Sequence, residues 1–250
     1  MNRFTGAGAP GAVTPSRVCS ILANIPSAGD PVDNIRIRTM KREELPLAME
    51  WAVAEGWNPG LHDAECFWPV DTEGFFCAES GGKIVGTAAV VNYDDRFSFG
   101  GFYIVDPAFR ENGIGMQISH YAMRHAGSRI FGVDGVVAMV EKYEKSGDLF
   151  LHYNNARYEG RGGGIMPGGL TFIRNVRFAD LLEYDAAHFP ARREKFLRCW
   201  IAQEEHFGLA RLDDNGTIIG YGVRRKCYTG FKIGPLFAQD RETAELILDG

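Results

Sequence analysis

No uncharged apolar run in this 250-residue chain approaches the roughly 20 residues that a membrane helix needs. The longest near its middle, Ile84 to Val91, is far shorter, so no segment is expected to span a bilayer. Clustered basic residues are also missing. Lys plus Arg is 27 and Asp plus Glu is 32, a net charge of −5 without blocks of like charge, which argues against nucleic acid as the main partner. The five cysteines, Cys19, Cys66, Cys77, Cys199 and Cys227, are odd in number and never form C-x-x-C. Reduced thiols in the cytoplasm are expected rather than a disulfide framework. Among the six histidines there is no H-E-x-x-H, and His120 and His125 miss the i, i+4 spacing of helical metal ligands, so no metal is expected.

Acidic residues are absent before Asp30, and Gly and Pro supply eight of the first 33 positions. Such a stretch buries too little apolar surface to offset its ordering entropy and reads as a disordered leader over 1–33. Its Gly6, Gly8 and Gly11 formally spell G-x-G-x-x-G, but five residues are too few for the buried strand that must precede a dinucleotide loop, and Pro10 and Pro15 spoil the helix after it. Arg3 and Arg17 without acids leave a mitochondrial presequence as the alternative address.

What is present begins at Ile35. Alternation predicts a strand over Ile35–Thr39, and apolar spacing predicts a helix over Glu43–Glu55, with Pro46 in its first turn and Gly56 as its cap. A loop, Trp57-Asn58-Pro59-Gly60, leads to a short helix from Asp63 towards Trp68. Strands follow over Phe75–Glu79, Lys83–Asn92 and Phe97–Val105, with turns at Gly81-Gly82 and Asp94-Asp95. Next, Val105-Asp106-Pro107-Ala108-Phe109-Arg110-Glu111-Asn112-Gly113-Ile114-Gly115 opens an amphipathic helix that ends near Gly127. Gly113 and Gly115 allow successive N–H groups to face one point, and the helix adds the positive end of its dipole. This is an anion site suited to a pyrophosphate. Ile118 stands where a dinucleotide fingerprint needs its third glycine, and no Lys-Ser/Thr pair follows for a nucleoside triphosphate.

Residues 35 to about 160 resemble a GNAT-type N-acetyltransferase: strand, two helices, three antiparallel strands, then Val-x-Pro-x-x-Arg-x-x-Gly-x-Gly and its helix. The resemblance implies an α/β (α+β) fold with a mixed, mostly antiparallel sheet flanked by helices, and acetyl-CoA as co-substrate. It places the pyrophosphate on the amides of Arg110, Glu111, Asn112, Gly113, Ile114, Gly115 and Met116, and the pantetheine arm along Tyr103, Ile104 and Val105. Downstream, Ile130–Val133 reads as a strand, and Glu141 to Gly147 resembles the family's Leu-Tyr-Glu-x-x-Gly-Phe stretch, departing from it at Asp148. Tyr143 is then the general acid for the leaving thiolate. On the acceptor side the resemblance points to Trp57, Asn58, Asp63 and Phe67. A base is not evident, since the strand before the loop carries Phe99-Gly100-Gly101-Phe102; His62, Asp63, Glu65 or a water chain are the candidates.

The remaining chain repeats the first part in outline. Phe207 to Leu212 echoes Phe75 to Ser80, and Ile218-Ile219-Gly220 echoes Ile84-Val85-Gly86, at offsets of 207 − 75 = 132 and 218 − 84 = 134 residues. A helix is expected over Pro190–Ala202 between them and another over Arg241–Leu248, with no Arg-x-x-Gly-x-Gly before the latter. Gly230 to Ala238 and Gly56 to Gly60 resemble stretches of a GNAT subgroup with a second, C-terminal GNAT-like domain. The expected organisation is a leader over 1–33, a GNAT domain over 34–165 and a GNAT-like domain over 166–250. That second domain looks truncated, so an unpaired sheet edge or a partner such as a second copy must compensate.

The reaction implied is direct acetyl transfer to the amine of a small molecule or amino acid. A protein Lys or N-terminal acetyltransferase and a non-catalytic acyl-CoA sensor are the alternatives.

Overall fold

The structure is a computed structural model that describes residues 34–145, 149–163 and 165–250. The expected leader lies outside them. Of the described residues, those between 34 and 137 and between 163 and 250 form one unit, and those between 138 and 162, with the short helix α4 (Val140–Lys145), belong to another.

The larger unit is an α+β structure with two sheets. In the first, β1 (Arg36–Thr39), β2 (Phe75–Ser80), β3 (Lys83–Asn92), β4 (Phe97–Val105) and β5 (Ile130–Val133) lie side by side in sequence order. The first four are antiparallel, and β5 runs parallel to β4. Ser80 pairs with Lys83 across Gly81 and Gly82, whose φ angles of 56° and 78° are those a two-residue hairpin requires. Alternation along β2 sends Phe76 and Ala78 to one face and Phe75 and Cys77 to the other. The first face is covered by α3 (Ile114–Ala126), whose Ile114, Ile118, Ala122 and Ala126 repeat every four residues and are buried. The opposite face takes Leu45 and Ala48 of α1 (Leu45–Ala54), and Phe67 of α2 (Asp63–Phe67) packs at its margin.

The second sheet orders β6 (Leu170–Phe172), β7 (Phe207–Leu212), β8 (Ile218–Lys226) and β9 (Phe231–Ala238), all antiparallel. It repeats β1 to β4 down to its irregularities. The register slips between Ala78 and Glu79 in β2 and between Arg211 and Leu212 in β7, then again between Thr87 and Ala89 in β3 and between Gly222 and Arg224 in β8. Helices α5 (Phe178–His188), α6 (Glu194–Ala202) and α7 (Arg241–Asp249) complete this half.

Two expectations change. The helix read over Pro190–Ala202 begins only at Glu194, because Arg193 turns its guanidinium back onto the buried Asp185 carboxylate, with N–O distances of 2.9 and 2.8 Å. Helix α5 is absent from the sequence reading. Its buried face is Leu181, Leu182 and Asp185, and a carboxylate in an apolar stripe hides the helical period.

Candidate active site

The glycine loop sits where the sheet opens. β5 pairs with β4 only from Phe97 to Gly100, so among the described residues Gly101 to Val105 have no strand beside them on that side. A bulge coincides with this parting. Ala88 faces two residues, Phe102 and Tyr103, and Phe102 takes a left-handed φ of 48°. The buried Thr87 hydroxyl holds the bulge by donating to the Phe102 carbonyl at 2.8 Å.

Beyond Val105 the chain tightens. Asp106 donates its N–H to the Val85 carbonyl at 3.0 Å and accepts the Ala108 N–H on its carboxylate at 2.9 Å. Phe109 and Arg110 close a short turn, and Glu111 and Gly113 then adopt φ of 67° and 74° before α3 starts at Ile114. Within the described residues, the amides from Glu111 to Met116 find no protein acceptor. The N-terminal amides of any helix lack intrahelical partners, and here no side chain caps them. Side chains around them are of two kinds. Ile114 and Ile104 are buried, which fixes the helix against the sheet, whereas Met116, Asn112 and Glu111 are exposed.

Tyr103 and Gly115 meet. A Cβ built on Gly115 would lie 2.6 Å from the Tyr103 hydroxyl, so any larger residue there would push the end of that ring aside. Arg110 folds away from the helix end. Its Nε donates to the Val105 carbonyl at 2.9 Å and its guanidinium pairs with Glu55, just after α1. Its side chain is a tie between loop and helix rather than part of the open amide cluster.

The second copy closes the equivalent point. Between β9 and α7 lie two residues, and the Asp240 carboxylate accepts the Thr243 N–H at 2.7 Å, capping the helix with a negative charge of the protein's own. That bond holds the Asp240 carboxyl below the usual carboxylate range.

The four residues expected on the acceptor side are gathered by the structure, but towards the second copy. Asn58, with φ of 47°, donates to the Thr229 carbonyl at 2.8 Å and accepts the Thr229 N–H at 2.9 Å. Lys232 donates to the Trp57 carbonyl at 2.7 Å. Asp63 accepts the Gly60 N–H at 2.9 Å and lies 3.0 Å from Arg225, both side chains being largely buried. Phe67 packs on Phe196 and Trp200, with ring centroids 4.9 and 6.3 Å away. Of the remaining base candidates, His62 contacts Glu205 at 3.1 Å and Glu65 is exposed. Sequence reasoning missed Thr87, Phe102 and Glu55, which shape and tie the loop's surroundings. Tyr143 belongs to α4, and its side chain lies outside the described residues, as do Ser146 to Asp148. Among the described residues, no group of three His, Cys, Asp or Glu side chains could hold a metal, and no helix is long and apolar enough to cross a membrane.

A bulged strand that parts from its neighbour thus feeds a glycine-rich helix start with open amides, and comparison with known proteins places the chain in a family. Residues 37–148 match the acetyltransferase (GNAT) family, and residues 181–250 match an acetyltransferase (GNAT) domain. The chain belongs to the GNAT family of acyltransferases, whose members take an acyl-CoA as co-substrate. Over 205 residues it is 32% identical to holothin acyltransferase of Pseudoalteromonas sp. (strain SANK 73390), a match spanning 81% of this chain and 69% of that protein. It is 27% identical to an uncharacterized protein of Caenorhabditis elegans over 61% of this chain and 54% of that one. Its fold is shared by a crystal structure from Pyrococcus horikoshii assigned to the acetyltransferases, with a TM-score of 0.67 at 18% identity, covering 87% of this chain and 75% of that one.

Proposed function

We propose that this acyltransferase moves an acetyl group from acetyl-CoA to the amine of a small molecule, by direct attack within a ternary complex. The observation that carries the donor half is the run of unengaged amides from Glu111 to Met116 at the start of α3. A pyrophosphate there would meet several N–H groups and the positive end of a helix dipole. Beyond Gly100, where its pairing with β5 ends, β4 offers the pantetheine amides the hydrogen bonds of a further strand. Those residues fit the co-substrate through backbone groups alone, so the net charge of −5 is no obstacle.

Acetyl-CoA supplies the activated acyl group, and the chain's own residues do the rest. Backbone N–H groups around Ile104 polarise the thioester oxygen, where charge develops in the transition state. Tyr143 donates a proton to the departing thiolate; a phenol of pKa about 10 can serve a thiol of pKa about 8.5. The acceptor, an amine of pKa about 10, must lose a proton before it attacks. Asp63 and His62 already hold Arg225 and Glu205, which favours a water chain as its route. Trp57 lines the acceptor side, while Asn58, Asp63 and Phe67 stand behind that wall and hold it against the second copy. The relative named for acylating holothin supports a small acceptor.

The test is CoA release over a panel of small amines and peptides. Release with small amines, and at least tenfold weaker acetyl-CoA binding in Gly113→Val and Gly115→Val, are expected. Peptides that outcompete every small amine would sink the small-acceptor reading. Acetyl-CoA binding that survives both substitutions would sink the assignment of the loop.

A further inference from the structure

The thiols of Cys66 and Cys199 touch. Cys66 lies on α2 of the first copy and Cys199 on α6 of the second, 133 residues later, and their Sγ atoms are 2.7 Å apart. Both are free cysteines. A single amide serves the pair, with Gln203 Nε2 donating to Cys199 at 3.2 Å and to Cys66 at 3.4 Å. Their surroundings differ. Cys66 is fully buried in the second copy's core, in one cluster with Leu197 and Trp200, whereas Cys199 is half-buried and donates to the Glu65 carbonyl at 3.7 Å. Cys77 and Cys227 are free and buried as well, and among the described residues the sulfur–sulfur contact is that of Cys66 and Cys199.

We propose that Cys66 and Cys199 are a reversible oxidative cross-link site, at which a peroxide converts the two thiols to a disulfide that staples α2 of the first GNAT copy to α6 of the second. The chemistry divides along the difference in exposure. Cys199, the accessible sulfur, attacks one peroxide oxygen; the O–O bond breaks, Cys199 becomes the sulfenic acid and one water leaves. The Cys66 sulfur then attacks the Cys199 sulfur, the S–O bond breaks, and the departing hydroxide takes the Cys66 proton as a second water. Two thiols are oxidised and one peroxide is reduced to two waters. Burial, together with the adjacent Cys199 thiol, pushes the Cys66 thiol well above its ordinary pKa, so Cys66 is not the thiol of first attack, and its part in the second step rests on its contact with the Cys199 sulfur. The sulfurs need to close only a short distance to reach the bond length of about 2.05 Å.

The consequence is mechanical. Helix α2 follows the Trp57–Gly60 loop, so the staple fixes the segment that joins the acceptor wall to the second copy. Because it closes a long loop, it restricts the unfolded chain more than a short one would.

The experiment treats the full chain with hydrogen peroxide, alkylates the remaining thiols and maps them by mass spectrometry. A species about 2 Da lighter, with the peptides of Cys66 and Cys199 joined, is expected. Dithiothreitol should reverse it, and the unfolding midpoint of the oxidised form should rise by roughly 5–10 °C. Cys199→Ser should abolish both the link and the rise. Folded protein whose Cys66 and Cys199 both remain alkylatable, or whose Cys199 proceeds to the sulfinic acid with Cys66 still free, would overturn the proposal. Mapping wild-type protein needs no variant to fold.

Discussion

Asn58 and Thr229, 171 residues apart, exchange two hydrogen bonds: the Asn58 amide donates to the Thr229 carbonyl, and its oxygen accepts the Thr229 N–H. A peptide-like side chain thereby joins the first copy's loop to the hairpin between β8 and β9. An Asn also tolerates the left-handed backbone found there. Asn58→Asp keeps the acceptor oxygen but removes the donor, and should lower stability by about 1 kcal/mol. Denaturant midpoints measure this. Unchanged stability with a raised KM for the acceptor would assign Asn58 to the substrate instead.

Asp63 and Arg225 make the same distinction with charge. Asp63→Asn leaves a largely buried guanidinium without its counter-charge and should destabilise by about 3 kcal/mol. The pH–rate profile of the folded variant should keep its shape. If instead its alkaline and acid limbs shift while the melting point stays, Asp63 is the base.

Gly115→Ala places a methyl 2.6 Å from the Tyr103 hydroxyl, so the end of that ring must shift along β4 beside the loop and acetyl-CoA binding should weaken. In the double variant with Tyr103→Phe the oxygen is gone, and the nearest ring carbon would lie 3.4 Å away. Binding should then recover most of its loss. A double-mutant cycle in calorimetric titrations that is strictly additive would rule out this contact as the reason for glycine.

Acid should act early on β1. Arg38 donates to both Glu44 oxygens at 2.7 Å and to Glu79 at 2.5 Å, and these bonds hold the Glu44 carboxyl down at about 2, against an ordinary 4.5. A folded value below the unfolded one gives stability that is present above about pH 4.5 and lost as pH falls from there towards 2. Thermal midpoints at pH 6 and pH 3.5 should therefore differ more for wild type than for Glu44→Gln. Equal differences would show that Glu44 carries none of the acid sensitivity.

Legibility in the sequence followed the range of the interactions. Strands β3, β4 and β5 fall at Lys83–Asn92, Phe97–Val105 and Ile130–Val133, as alternation and turn residues require. Their hydrophobic period and their turns are written in neighbouring residues. Helix α5 escaped because its buried face includes Asp185, whose partners Arg193 and Tyr221 lie farther along the chain. The bulge at Phe102 escaped because Thr87, which pins it, sits on another strand and interrupts no pattern of its own.

By itself the sequence determined the GNAT architecture, the degenerate repeat and the glycine loop that opens α3, because a backbone device needs only adjacent residues of the right conformational freedom. Tertiary structure alone decided that Asn58, Asp63 and Phe67 turn towards the second copy. Along the chain Asn58, Asp63 and Phe67 read as acceptor-side residues and Cys66 as a reduced thiol. Their partners Thr229, Arg225, Phe196 and Cys199 are each more than a hundred residues away, and only the packing of one repeat against the other brings those side chains within bonding distance.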